Sequence, residues 1–212
     1  MRAFCLDGHD NDTYAFRERP HLTEFQKIHQ ELVPDMSGLT RPGVRRCKTC
    51  AELLGKWEEP LAGVVVQKRK YDIGSTYDGW TFVSQRFKDV CESNVLVGLT
   101  FRVLPDDPKF FAIHAGRTVE FDAERRQTRF CKPCPQCGRF ESVVGATPVY
   151  LMAGVAIGAC EFVRTDLEFG SNDEKHPLLL CGEIAANALK SAKLKGLDLK
   201  PVQPSTPSGS SG

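Results

Sequence analysis

No stretch of this sequence approaches the ~20 consecutive apolar residues of a membrane-spanning helix. The most apolar run, VYLMAGVAIGAC from Val149 to Cys160, is too short and carries two glycines. The opening residues, MRAFCLDGHDNDTY, lack the apolar segment of a secretory leader, so a cytoplasmic chain is expected. An excess of one charge is missing as well: Lys and Arg number 28, Asp and Glu 27, for a net +1. Proteins that hold nucleic acid through its phosphates carry a clear basic surplus. Local basic clusters (Arg45, Arg46, Lys48; Lys68, Arg69, Lys70; Arg125, Arg126, Arg129) sit near acidic neighbours and read as solvated surface. Nucleic acid is therefore not the expected partner. Also absent are a Walker loop, a GxGxxG, a nucleophile elbow and any HxH or HExxH spacing. His9, His21, His29, His114 and His176 are scattered, and His114, in the apolar segment FFAIHAGR, is the best placed of them. No catalytic constellation emerges, and the chain is not read as an enzyme.

With 41% hydrophobic and 26% charged residues, the 212-residue chain can bury one sizeable core or two small ones. Its unusual feature is nine cysteines, an odd number. Together with the expected reducing setting, that count favours thiols and metal ligands over a disulfide frame. Cys47 and Cys50 form CKTC. Cys134 and Cys137 form CPQCG, with Cys131 three positions upstream. Two CxxC pairs supply four thiolates, the ligand count of a closed tetrahedral zinc site holding one structural ion. A tight turn lets both sulfurs of a pair converge on a metal while the intervening backbone amides point at them. Pro135 presets the second turn, and Gly138 can take the positive φ that follows it. Eighty-three residues lie between Cys50 and Cys134. The fold must bring the pairs together, and a metal there would close a long loop.

Other fates stay open for these thiols. The metal site can be incomplete. Cys47 can stand at the amino end of a helix over AELLGKW beside Arg45, Arg46 and Lys48, a setting that stabilises a redox-active thiolate paired with Cys50. Cys131, Cys134 and Cys137 are spaced like the start of a ferredoxin run, but Glu141 occupies the next ligand position. Cys131 is thus a spare thiol or an alternative ligand. Cys5, Cys91, Cys160 and Cys181 lie in apolar contexts and read as small core residues.

An internal repeat organises the rest. WTFVSQRFKDVCESNVLVGLTFRVL (80–104) aligns without a gap on LLLCGEIAANALKSAKLKGLDLKPV (178–202). Phe82 falls on Leu180, Ser84 on Gly182, Leu96 on Leu194, Gly98 on Gly196 and Phe101 on Leu199. Each copy reads as an apolar strand, a Ser or Gly helix start, about three turns of helix, a glycine and an alternating strand. Further strands are expected in AGVVVQKR, FFAIHAG, RTVEFDA, FESVVGA and CEFVRTDLEFG, and a short helix over 23–32 behind a Thr23 cap. The expected fold class is α+β: mainly antiparallel or mixed sheets, two related strand–helix–strand units, and a zinc site built from two CxxC knuckles. The segments are 1–78 with the first CxxC, 79–130 with the first unit, and 131–202 with the second CxxC and unit, within one domain. A disordered tail follows at 203–212.

Acidic residues gather in EFVRTDLEFGSNDEKHP, where Asp166, Glu168, Asp173 and Glu174 read as a patch for a basic partner. The early CxxC, the later CxxCG and the closing LKGLDLKPV together resemble the double-CxxCG motif family of bacterial paralogues, over roughly residues 42–202. That resemblance implies a metal-binding role for Cys47, Cys50, Cys134 and Cys137, and an association with polymorphic toxin systems as an immunity protein. The first pair departs from the motif: Ala51 stands where the glycine would be, which implies a different exit from that turn. The resulting expectation is a zinc-stabilised protein-binding protein that occludes a cognate protein toxin. The rival readings are a thiol–disulfide or redox-sensing protein and a zinc-dependent nucleic-acid binder.

Overall fold

Four apolar residues and then four polar ones make up AFCLDGHD, and in the strand they form, β1 (Ala3–Asp10), successive side chains fall on opposite faces. Leu6 and Phe4 point toward the helices, whereas Cys5 joins a cluster on the opposite side. The computed structural model describes residues 2–13, 15 and 45–204. After β1 come β2 (Ile73–Ser75), β3 (Thr81–Ser84), helix α1 (Gln85–Ser93), β4 (Leu99–Leu104), β5 (Asp107–Ala115) and β6 (Thr118–Val119). A short helix α2 (Ala123–Arg126) leads to β7 (Arg129–Pro133) and β8 (Phe140–Val144). The chain ends in β9 (Phe162–Ser171), β10 (His176–Gly182), helix α3 (Glu183–Ser191) and β11 (Leu197–Pro201).

The strands form one mixed sheet in the order β4-β5-β3-β2-β1-β10-β9-β8-β7, with β11 paired to β1 and β6 to β9. The β1·β2 and β6·β9 pairs are parallel, the others antiparallel. The architecture is α+β and sheet-dominated. Strand β1 sits mid-sheet between partners from the far end of the chain, so segments 1–78, 79–130 and 131–202 are interleaved in one sheet.

Helices α1 and α3 lie side by side on one face. Phe87 and Cys91 of α1 pack with Ala185, Ala186 and Leu189 of α3 over Val83 and Cys181 of the sheet. Phe87 is fully buried, a burial that contributes about 1.5–3 kcal/mol. Ser84 Oγ caps α1 by accepting from the Phe87 N–H at 3.3 Å. Gly182 stands at the same place before α3 and offers no cap. A Cβ there would lie 2.0 Å from the Gly158 carbonyl oxygen, so a serine does not fit.

Two expectations meet a different outcome, and a third falls outside the described residues. AGVVVQKR is not a strand: Val64 and Val66 are buried, but Val66 N–H donates to Asp107 Oδ2 and Gln67 N–H to Thr13 Oγ1 in place of a ladder. Gln203, expected in the tail, is held to the fold: its N–H donates to the Val149 carbonyl at 2.9 Å; residues 205–212 lie outside the described residues. The helix expected over 23–32 lies outside them too. Among the described residues, no helix is long and apolar enough to cross a membrane.

Candidate metal centre

Two turns of the same geometry carry the cysteines. In the first, Arg46 bridges to Leu53 and closes the turn Cys47–Cys50. Cys47 N–H donates to the Glu52 carbonyl (2.8 Å) and Ala51 N–H to the Cys47 carbonyl (2.9 Å). In the second, Pro133 of β7 pairs with Phe140 of β8. Cys134 N–H donates to the Arg139 carbonyl (2.8 Å) and Gly138 N–H to the Cys134 carbonyl (2.9 Å). The conformation after each pair is left-handed, at φ 71° for Gly138 and 57° for Ala51. The expected divergence at Ala51 is therefore corrected: alanine takes the glycine conformation, at a cost of about 1–2 kcal/mol. Nor does AELLGKW form a helix behind Cys47; Leu53 is in a bridge, and only Lys56–Glu58 makes a 3₁₀ turn.

The four sulfurs of Cys47, Cys50, Cys134 and Cys137 lie within 4.8 Å of one another. Cys47 Sγ is 3.8 Å from Cys134 Sγ, and Cys50 Sγ is 3.6 Å from Cys137 Sγ. A zinc tetrahedron with Zn–S of about 2.3 Å has edges of about 3.8 Å, so the donor set fits zinc in chemistry and in spacing. Cys131, exposed on β7, is outside the group. Among the described residues these four cysteines are the one such cluster of metal-capable side chains.

The backbone prepares the sulfurs of Cys47 and Cys134 for ionisation. Amides of Cys50 and Thr49 lower the Cys47 thiol, and those of Cys137 and Gln136 bring Cys134 down to about 6. Cys50 is pushed up to about 12, chiefly by desolvation and further by contacts with Cys134, Cys47 and Cys137. Four negative charges cannot share this volume without a cation. By contrast, burial pushes the core thiols Cys5, Cys91 and Cys181 up to about 12 each and leaves them inert; Cys160 is half-buried.

A layer of ion pairs seats the turns on the sheet. Arg46 grips Asp173 in bidentate fashion, 3.0 and 2.7 Å, and donates to the Ala51 carbonyl at 2.6 Å. Lys175 Nζ stands 3.0 Å from Glu52 Oε2 and donates to the Phe140 carbonyl. Arg139 donates to the Leu53 carbonyl (3.1 Å) and lies near Glu52 (3.9 Å) and Glu168 (3.7 Å). Buried Lys56 donates to the carbonyls of Asp173 (3.2 Å) and Lys175 (3.0 Å). Removing one member of a buried pair typically costs about 3–5 kcal/mol.

This layer redistributes the acidic residues read as a docking patch. Asp173 is 5% exposed and belongs to Arg46, so it is not a surface group. Glu168 is half-buried and turned toward Arg139. Asp166 is exposed, yet its Oδ1 accepts from the Phe121 N–H at 2.9 Å. Glu174 is exposed. The described histidines stay outside the cysteine cluster. His114 stacks at 4.8 Å on Trp57, its pKa lowered by burial and by Arg164 and Arg102. The buried Glu52, Lys56 and Lys175 carry no spacing that marks them in the sequence. No protein-family model matches this chain, and no curated protein matches it.

Proposed function

We propose that the protein is a zinc-stabilised scaffold that acts by binding another protein. The observation that carries this reading is the closed set of four thiols, two from each turn, at the edge lengths of a zinc tetrahedron. Four protein ligands leave no position for water or substrate, which makes the ion structural. Bound zinc stabilises the fold directly, because the unfolded chain does not hold the site. In this reading the two strand–helix–strand units around α1 and α3 are related, and the metal pins them into one docking frame.

The partner proposed is a cognate protein toxin, neutralised by occlusion, in line with the resemblance to the double-CxxCG family. Asp166 and Glu174 remain at the surface and would steer a basic partner face. Purified protein is expected to carry one zinc per chain. Cys47→Ser and Cys134→Ser are each expected to release it and to lower Tm by on the order of 10 °C. Retention of metal in Cys47→Ser would mean that the pairs do not share an ion. Co-expression with the product of a neighbouring toxin gene should restore growth and yield a co-purifying complex; growth arrest with no complex would sink the immunity reading.

A redox reading, built on Cys47 and Cys50, has one specific support: the backbone amides of Cys50 and Thr49 lower the Cys47 thiol. It predicts one thiol that alkylates far faster than the others in the metal-loaded protein. Uniform protection of Cys47, Cys50, Cys134 and Cys137 by zinc removes it.

A further inference from the structure

We infer that the described residues hold two copies of one strand–strand–strand–helix–strand unit, that each copy lends its first strand to the other, and that the four-cysteine site lies on the internal two-fold relating them, so that bound metal clamps the halves together. This deepens the metal reading above and rests on it. Each half runs strand, CxxC-bearing insert, strand, strand, helix, strand: β1, Cys47–Cys50, β2, β3, α1, β4 in the first, and β5, Cys134–Cys137, β9, β10, α3, β11 in the second, whose insert also holds β6, α2, β7 and β8.

The registers agree residue for residue. Strand β5 of the second half lies between β3 and β4 of the first, pairing Phe82 with Ala112 and Phe101 with Ile113. Strand β1 of the first half lies between β10 and β11 of the second, pairing Leu180 with Cys5 and Leu199 with Leu6. Phe82 corresponds to Leu180 and Phe101 to Leu199, so Ala112 corresponds to Cys5 and Ile113 to Leu6 at one constant offset. Gly116 N–H donates to the Gly98 carbonyl at 3.1 Å, and its counterpart His9 N–H to the Gly196 carbonyl at 3.0 Å. Both glycines have positive φ, 96° and 82°, and each faces a carbonyl of the other half: a Cβ at Gly98 would lie 2.3 Å from Phe162 O, one at Gly196 2.4 Å from Ile73 O. Phe162 and Ile73 open the equivalent strands β9 and β2.

The cysteine turns obey the same operation. Cys47 corresponds to Cys134 and touches it; Cys50 corresponds to Cys137 and touches it. Thr49 corresponds to Gln136, and its Oγ1 donates to Gln136 Oε1 at 2.5 Å. Equivalent residues in mutual contact are the mark of an isologous interface. Here that interface lies inside one polypeptide.

The test places a protease site in the exposed turn at Pro105 and Asp106, between β4 and β5, and cuts the folded, zinc-loaded protein there. The halves are expected to stay together on size exclusion and to part only in urea. Chelation should shift the midpoint of that separation to lower urea, and zinc should restore it. Halves that separate at the same urea concentration with and without zinc overturn the clamp. Halves that fall apart in buffer overturn the strand exchange. If the uncut chain binds no zinc, the metal reading itself fails, a separate outcome. Should the insertion block folding, the uncut chain answers through Cys47→Ser, Cys134→Ser and the double variant. One shared clamp requires the double variant to lose no more urea resistance than either single one, and additive losses overturn it.

Discussion

Lys56 is 5% exposed, and burial lowers its pKa to about 8 from the usual 10.5. Below about 8 the folded protein holds a buried charge; between about 8 and 10.5 the unfolded chain binds more protons than the folded one. Stability contributed by this residue therefore rises with pH across that window and is lost as pH falls through the folded value. The stability difference between wild type and Lys56→Met is expected to shift in favour of wild type from pH 8 to 10.5, measured by urea unfolding at each pH. A flat difference would remove the buried charge from the account. At Gly98 and Gly196 an alanine would meet positive φ and a carbonyl at under 2.5 Å. Gly98→Ala and Gly196→Ala are each expected to cost about 2–3 kcal/mol, and by similar amounts. A neutral Gly196→Ala would break the equivalence of the halves.

The helices show how elements answer to the sequence. QRFKDVCES and EIAANALKS place apolar residues at helical spacing, and Ser84 was legible as a cap for α1. Ser84→Ala should cost about 1 kcal/mol by chemical denaturation; Gly182→Ser should instead destabilise the protein, because the Gly158 carbonyl occupies the Cβ position. β1 was not legible. Its run AFCLDGHD passes from four apolar residues to four polar ones without a strand's alternation, and its partners β10 and β11 come from the other end of the chain, a pairing that no local pattern encodes. AGVVVQKR misled in the opposite sense: its valines are buried, but Asp107 and Thr13 take its backbone donors. The cysteine spacing marked the donors and their turns. It could not show that Asp173 would be spent on Arg46, because ion pairing across the fold leaves no periodicity.

For the molecule as a whole, the second cysteine turn joins β7 and β8 at the edge of the sheet, and the first turn meets it there through sulfur contacts and the ion-pair layer. Metal removal should therefore be felt unevenly. Chelation is expected to speed hydrogen exchange at the amides of Ala51, Cys134 and Gly138 far more than at Cys5 and Leu6 of β1, read by exchange mass spectrometry. Equal acceleration throughout would mean that the ion supports the entire sheet. Under the two-fold inferred above, Glu52 and Arg139 occupy matching positions, and they approach to 3.9 Å. Were two first halves to associate, glutamate would meet glutamate; two second halves would bring arginine against arginine. Opposite signs at this one place favour heterotypic pairing, so neighbouring molecules gain nothing by trading like for like.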